Sequence, residues 1–405
     1  MNRQSFSRES RLTPDRQRAP KKDPILVVHD FASWGGAEFA LRDLVIELLA
    51  AGHPVDFICF AEGPLPADLR SRGVTVHIVP FAREFVRFSQ RPLFVDFMRL
   101  LFRVPSLVRD GAAICRLMRR QSDALVLSNS LKSVLVTRPL SFMLRMSHFH
   151  FLHYDLARGF GPKPIATSLL LLMKSCARVI CVSSAALEAF LALGGDPRRA
   201  TVVRQSIHFP QDNGRNYDVN RLVIGTVGRI NEFKNVGQIV TAVALLRERG
   251  LRIELRIVGD SFTEADHRYK RQLEQQVEAH GLTDLVHFVG FRQEIWPVLS
   301  EMDIFVSTSR NESLGRSVLE AMGMGLPVIV TPVGGLAESV QNGQTGLWTK
   351  LDDPDDLVGL IARLVNSPDE RRRLGQAASK AVRSQYSPEE YREAIGVLFT
   401  GVRSS

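Results

Sequence analysis

Two glutamates, Glu312 and Glu320, bracket the run Ser313-Leu314-Gly315-Arg316-Ser317, which follows the strand-like stretch Ile304–Ser307 and leads into an apolar pattern at Val318, Leu319 and Met322. A helix beginning in that run aims its unpaired amides and the positive end of its dipole beyond the strand, a setting suited to phosphate. Carboxylates do not bind phosphate, but they accept hydrogen bonds from sugar and ribose hydroxyls. Amides for a diphosphate beside two carboxylates for hydroxyls are what a nucleotide sugar needs. Taken alone, the spacing of the two glutamates is better met by ordinary helix chemistry, with one acid near the N-terminus and one solvated.

A second group carries the opposite charge. Gly228 ends the strand-like run Leu222–Val227, and Arg229 and Lys234 follow it closely. A glycine there lets backbone approach a ligand, and the two cations could compensate a departing diphosphate. Either cation alone reads equally as a solvated residue beside a turn. Gly35 and Gly36 follow the first apolar run, where small residues let a loop pass near a donor phosphate or an acceptor; the G-x-G-x-x-G dinucleotide fingerprint is absent. His148, His150 and His153 lie close together, but no Asp, Glu or Cys partner has ligand spacing, so neither metal nor cofactor is expected.

These residues need a scaffold that presents strand ends. Ile25–Val28, Val55–Phe60, Val74–Val79, Ala124–Leu127, Arg178–Val182 and Thr201–Val203 read as strands, with helical patterns such as Glu38–Ala51 filling several gaps. Runs apolar at every position fit parallel strands covered on both faces by helices. The segment Gln211–Asn220 has no apolar pattern and reads as a linker. Beyond it the alternation restarts, with strands at Leu222–Val227, Arg252–Val258, Val286–Val289, Ile304–Ser307 and Pro327–Val330 and helices including Val236–Arg249 and Ala265–His280. The expected fold class is α/β: two Rossmann-like, doubly wound domains facing a cleft. Ligands then sit beyond the carboxyl ends of the strands, where the residues above fall.

Composition narrows the function. The 405 residues are 45% hydrophobic and 23% charged, with length enough for two cores. The formal charge of +9 is concentrated in residues 1–24 and 81–120. No nucleic-acid-binding module accompanies it, so nucleic acid is not an expected partner. The four cysteines form no CxxC pair and the N-terminus has no secretory apolar core, which makes the cytoplasm the expected compartment. The most apolar run, Leu169–Met173, is far short of the roughly 20 residues that span a bilayer. Residues 81–120 mix Phe, Leu and Arg at near-helical spacing, which leaves two readings open: an interfacial helix drawn to anionic lipid on the inner membrane face, or a domain helix whose Arg stems cover apolar surface.

The run from Glu312 to Trp348, with its Gly-Pro-Val turn, Gly334-Gly335 and Glu338, resembles the signature block of glycosyltransferase family 4, a retaining family of the GT-B fold. Residues 29–41, HDFASWGGAEFAL, are similar to its N-terminal glycine loop, and residues 225–235, GTVGRINEFKN, to its donor-phosphate segment. The resemblance implies that Arg229 and Lys234 bind the diphosphate, that Glu312 orients the sugar and Glu320 the ribose, and that backbone from Leu314 to Ser317 meets the phosphates. The segment SHFHFLHYD resembles the family's strand leading to a histidine that holds the transferred sugar, with His153 fitting best. Gly259-Asp260 and Phe291-Arg292 resemble loops around the base, which do not separate UDP from GDP. Leu314, Ser261-Phe262 and Gln205-Ser206-Ile207-His208 depart from the common pattern, so donor identity and inter-domain contacts stay open.

The implied activity is transfer of a sugar from a UDP- or GDP-linked donor to a hydroxyl of a glycan or lipid-linked acceptor, with retention, in cell-surface polysaccharide or glycolipid synthesis. A sugar-nucleotide epimerase and a catalytically silent sugar-nucleotide-binding protein are the rival readings. The expected organisation is a disordered basic arm at 1–23, an acceptor-binding domain at 24–212, a nucleotide-sugar-binding domain at 213–384 and a helix at 385–405 packing back toward the first domain.

Overall fold

The computed structural model describes residues 22–81, 93–153, 163–211, 214, 215, 217 and 222–399. Residues 1–21 of the basic arm, most of the expected linker and residues 82–92 of the Arg-rich stretch therefore lie outside the described residues.

The first domain opens with β1 (Ile25–His29), α1 (Gly36–Ala50), β2 (Val55–Cys59), α2 (Pro64–Ser71), β3 (Thr75–Ile78) and α3 (Leu93–Arg120). It continues through β4 (Leu125–Ser128), α4 (Leu131–Met143), β5 (His148–Leu152), α5 (Lys163–Lys174), β6 (Arg178–Cys181), α6 (Ser184–Ala192) and β7 (Ala200–Val202). Its seven strands are all parallel, in the order β3-β2-β1-β4-β5-β6-β7. Every residue of β1, β4 and β5 is buried, as the unbroken apolar run of β1 requires of a strand covered on both faces.

The second domain runs β8 (Val223–Val227), α7 (Val236–Glu248), β9 (Glu254–Val258), α8 (Glu264–Ala279), β10 (Val286–Gly290), α9 (Trp296–Ser300), β11 (Ile304–Ser307) and α10 (Arg316–Gly323). Then follow β12 (Val328–Val330), α11 (Gly335–Ser339), β13 (Leu347–Trp348), α12 (Pro354–Val365), α13 (Pro368–Gln385) and α14 (Pro388–Phe399). The sheet order β10-β9-β8-β11-β12-β13 repeats the topology of the first domain, again with every pair parallel. Strands expected from the apolar runs agree with these to within one or two residues at each end. Two escaped the periodicity: β5, whose His148 and His150 interrupt the apolar run, and β13, only two residues long.

Helix starts follow the local chemistry. Ser130, Ser183, Thr263, Asp353 and Ser367 each accept an amide from the first turn of the following helix, satisfying donors the helix leaves free. Pro354 and Pro368 take first-turn positions, where no N–H is needed.

The chain crosses back at its end. α14 packs on α1, with Phe399 only 2% exposed and its ring 5.4 Å from that of Phe149 in the first sheet. Burying such a ring contributes roughly 2–3 kcal/mol. Ile207 N donates to Tyr386 O at 2.9 Å, so the outgoing and returning crossings are bonded to each other. Arg383 reinforces them by donating to Pro210 O at 2.9 Å and lying 5.1 Å from the Phe209 ring centroid. Among the described residues no helix is long and apolar enough to cross a membrane.

Candidate active site

Strand ends β8, β9 and β10 set out Gly228, Gly259 and Gly290 side by side: Gly228 N donates to Val258 O at 2.9 Å and Gly259 N to Gly290 O at 3.0 Å. At Gly259, with φ of +137°, a Cβ would stand 1.9 Å from Gly228 O, so only glycine fits this close backbone approach. Beside it, a short 3₁₀ turn (Glu232–Lys234), capped by the Asn231 side chain at 3.1 Å, turns Lys234 over Gly228. The Lys234 ammonium pairs with Glu312.

Arg229 is held from behind. Its Nε donates to Asp266 Oδ2 at 2.8 Å, and its guanidinium lies 5.6 Å from the Phe262 ring centroid. Asp266 also accepts the Thr263 amide at 2.9 Å and the Phe262 amide at 3.2 Å. Burial pushes its pKa up, but Arg229 and these donors outweigh burial and hold the carboxyl below its usual value. Asp266 escaped the sequence reading, although Thr263-x-x-Asp266 is legible there as a capping box.

The glycines of the signature block build the Glu312 loop. Gly335 N donates to Glu312 O at 2.9 Å, and a Cβ on Gly334 would stand 2.1 Å from the same oxygen. Gly315, at φ +82°, caps α10 where a Cβ would meet Leu336 at 2.2 Å. The side chains of α10 then diverge. Arg316, Ser317 and Glu320 line the cleft, but Ser313, Leu314 and Gly315 do not; Leu314 is 9% exposed and belongs to the core. Glu320 is not an open ribose ligand in this conformation: Arg316 Nε donates to its Oε1 at 2.8 Å, and Arg316 Nη2 reaches Asp43 Oδ2 of α1 at 2.6 Å. Burial raises the Glu320 pKa, with Arg316 opposing. Asp43 and Glu47, four residues apart on α1, escaped the sequence reading; Glu47 takes Arg392 of α14 at 2.8 Å and His208 at 3.2 Å.

On the opposite wall, Gly35 and Gly36 open α1, joined in the lining by Asp30, Phe31, Glu38 and Arg42. A Cβ on Gly35 would stand 2.7 Å from Glu38 Oε2, whereas one on Gly36 would meet nothing within 4 Å. Gly35 therefore makes room for a carboxylate. Asp30 pairs with Lys132 at 2.7 Å; burial pushes its pKa up, but His29, Lys132 and Ser130 outweigh that and hold it low.

His153 departs from expectation. It directly follows β5 but does not line the cleft; Nε2 donates to Asn129 Oδ1 at 2.6 Å and Nδ1 accepts from Gln205 at 3.0 Å. Burial, then His29 and His150, bring its pKa to about 3, so the ring is neutral near pH 7. With both nitrogens engaged, neither is free for a sugar hydroxyl here. His148 and His150 are buried and share Ser128, each at 2.8 Å from its hydroxyl. Among the described residues no three His, Cys, Asp or Glu side chains converge as metal ligands.

Between the walls lies an inter-domain cleft of about 600 Å³. Gly228, Arg229, Lys234, Gly259, Asp260, Phe291, Arg292 and Glu312 line one side of it. The second-domain wall thus carries Arg229, Lys234 and Arg292 beside Asp260 and Glu312, and the first-domain wall carries Asp30 and Glu38 beside Arg42 and the rings of Phe31, Trp34 and Phe39.

Comparison with known proteins agrees with this architecture. Residues 210–381 match the family model described as glycosyl transferases group 1, and residues 35–205 that of a glycosyl transferase 4-like domain. Over 181 residues the chain is 33% identical to a D-inositol 3-phosphate glycosyltransferase of Corynebacterium jeikeium, covering 44% of this chain and 43% of that protein. Over 185 residues it is 25% identical to the capsular polysaccharide biosynthesis glycosyltransferase CapM of Staphylococcus aureus, covering 44% and 46%. The chain thus matches less than half the length of these curated relatives. Anabaena HepE, solved in complex with UDP-glucose, superposes with a TM-score of 0.78 at 22% identity, over 94% of this chain and 100% of that one. Sucrose-phosphate synthase from Thermosynechococcus elongatus gives 0.74 at 21% identity, over 93% and 98%. These likenesses establish the shared GT-B fold.

Proposed function

The chain belongs to the group 1 glycosyl transferases of family 4 type, and from that premise we propose that it moves a sugar from a nucleoside diphosphate to an acceptor hydroxyl with retention at the anomeric carbon. The observation that carries the proposal is the placement of Arg229, Lys234 and Glu312 on one wall of a cleft whose other wall belongs to the other domain. The donor lies along the glycine-lined ends of β8 and β9, with its diphosphate against Arg229 and Lys234. Lys234 exchanges its Glu312 partner for phosphate oxygen, which frees Glu312 to accept hydrogen bonds from the sugar.

The bond from the anomeric carbon to the phosphate oxygen breaks as the acceptor oxygen attacks from the same face. The acceptor proton passes to the departing phosphate, whose growing charge Arg229 and Lys234 stabilise. Neither Glu312 nor Glu320 is needed as a base, and the charge compensation comes from the protein's own cations. Uridine diphosphate is the first nucleotide to test, because the HepE structures hold UDP and UDP-glucose. The acceptor is a glycan or lipid-linked hydroxyl in surface-polymer or glycolipid synthesis, a reading supported by the likeness to a capsular polysaccharide enzyme. Residues 81–120 dock this chemistry on an anionic membrane surface.

Melting temperature measured with UDP, GDP and their sugars identifies the donor, since a ligand of the folded state raises stability. The anomeric configuration of the product, read by NMR, tests the mechanism. Inverted product, or turnover of the nucleotide sugar without any acceptor, overturns it.

A further inference from the structure

We propose that Glu338 is a positioning residue for Glu312: reaching from α11 of the second domain to the first turn of α6 in the first, it fixes the Glu312 loop against the opposite domain. The proposal rests on the glycosyl-transfer reading above, in which Glu312 meets the transferred sugar.

The Glu338 carboxylate takes two backbone amides of α6 at once. Ser184 N donates to its Oε2 at 3.0 Å and Ala185 N to its Oε1 at 2.6 Å, from positions 154 and 153 residues earlier in the chain. Both amides belong to the first turn of a helix, which holds no partner for them and carries the positive end of the dipole. α6 already has a cap of its own, since Ser183 Oγ accepts the Ala186 amide at 3.1 Å. In a lone first domain water would serve the other two amides, so α6 does not need Glu338 in order to form. What the contact adds is a charge-assisted, two-point join between domains. Glu338 is exposed, and at a wet rim such a join exchanges with water at little net cost. It can therefore be broken and remade.

The join reaches the donor loop because α11 and that loop are packed backbone to backbone. Gly335 N donates to Glu312 O at 2.9 Å. A Cβ on Gly335 would stand 2.5 Å from Ser313 O and 2.8 Å from Leu314 Cα, and one on Gly315 would meet Leu336 at 2.2 Å. With no gap to slide into, the five-residue helix and the loop from Glu312 to Gly315 shift as one piece. The far end of α11 is tied as well. The Ser339 hydroxyl lies 3.1 Å from that of Tyr386, whose carbonyl accepts Ile207 N at the domain crossing. Glu338 thus stands between the crossing, the first domain and the loop that carries Glu312. Loosening it lets that loop drift from the first domain, while Arg229 and Lys234 keep their places after β8. Contact with the sugar should suffer, and contact with the diphosphate should not.

The test compares wild type with Glu338→Ala, Glu338→Gln and Ser184→Pro as full-length chains. Ser184→Pro deletes one of the two donors from the other side. It falls at the first position of α6, where proline is favoured, and Ser183 at φ −154° and ψ 162° suits the residue before a proline. Calorimetry with UDP, UDP-glucose, GDP and GDP-mannose gives the affinity that the sugar adds to the nucleotide. Glu338→Ala should cut that increment about 5- to 10-fold, the low end of coupling between sites, and leave nucleoside-diphosphate affinity unchanged. Glu338→Gln, which keeps one acceptor oxygen, should fall between, and Ser184→Pro added to Glu338→Ala should cost nothing further. Hydrogen exchange supplies a second readout. Amide protection over the first turn of α6 should drop in Glu338→Ala and rise in wild type on binding nucleotide sugar, because coupling is reciprocal. Unchanged protection in Glu338→Ala means that no such join exists in solution and overturns the proposal. Equal weakening of nucleotide and nucleotide sugar does the same, being the mark of a merely structural contact. If a nucleotide binds wild type but its sugar adds no affinity, Glu312 is no sugar contact and the positioning role falls. If none of the four ligands binds, the glycosyl-transfer reading falls and takes that role with it, while the exchange result still decides whether the join exists.

Discussion

Replacing Arg316 by Met removes a cation that bridges two buried carboxylates from different domains, Asp43 and Glu320. The Arg316 and Glu320 side chains are 10% and 12% exposed, and that of Asp43 is 1% exposed. Breaking a buried pair by deleting one partner costs roughly 3–5 kcal/mol, because the remaining charge stays desolvated. Asp43 keeps Arg42 at 2.8 Å, so the expected loss lies near the lower end, about 3 kcal/mol in Arg316→Met. Asp43→Asn preserves shape and most hydrogen bonding and should cost about 1–2 kcal/mol. The double variant should be less destabilised than the sum of the two by about 1–2 kcal/mol, since the second change removes a charge the first has orphaned. Urea unfolding of the four proteins at pH 7.5 measures the cycle. Repeating Arg316→Met against wild type at pH 5.5 adds a sign. A carboxyl whose folded pKa is raised takes up protons on folding, so acidification should shrink the deficit as Glu320 discharges. Additive effects, or an Arg316→Met cost under about 1 kcal/mol, would refute the reasoning and mean that water already reaches these groups in solution.

Arg229→Ala and Lys234→Ala should each lower kcat/KM about 100- to 1,000-fold, as loss of a group that stabilises developing charge does, whereas Asp266→Asn should act more mildly by loosening Arg229; steady-state kinetics ranks them. Gly259→Ala should destabilise by about 2–3 kcal/mol, because a Cβ meets Gly228 O at φ +137°, and should weaken nucleotide binding in calorimetry. His150 and His153 are pulled to about 3 by burial, against roughly 6.5 in the unfolded chain, so the unfolded state protonates first. Their stabilisation is whole above pH 6.5 and is lost toward pH 3 at about 1.4 kcal/mol per pH unit for each ring, a slope that urea midpoints between pH 7.5 and 4.5 measure. Charge reversal of Arg99 and Arg103 to Glu should abolish co-sedimentation with anionic vesicles; unchanged sedimentation removes the membrane-docking proposal.

Much of the scaffold was legible because its strands are buried on both faces. Ile25–Val28 and Ile304–Val306 have no polar position to blur them, whereas β5 alternates His with Phe and resembles a half-exposed strand until His148 and His150 are seen sharing a buried hydroxyl. At the site, Arg229, Lys234, Glu312 and Glu320 were legible as charge at strand and helix ends. Their partners were not, because the holding contacts come from far along the chain: Asp266 is 37 residues from Arg229, and Asp43 is 273 from Arg316. His153 shows the same limit. The family resemblance puts a histidine at a strand end, but only the fold brings Asn129 and Gln205 to occupy both nitrogens.

The backbone bond from Ile207 to Tyr386 has a mechanical consequence. Bodies joined by one flexible thread can bend, twist and slide, and substrate would have to find the aligned arrangement among many. Two threads pinned side by side suppress twist and slip and leave bending about the pin as the soft coordinate. Any opening and closing of the cleft would then share one axis, and each closure would return the two walls to the same alignment. Cutting the chain at either crossing would restore the lost freedoms without removing a single residue from the cleft, and the penalty would fall on turnover before it fell on nucleotide affinity.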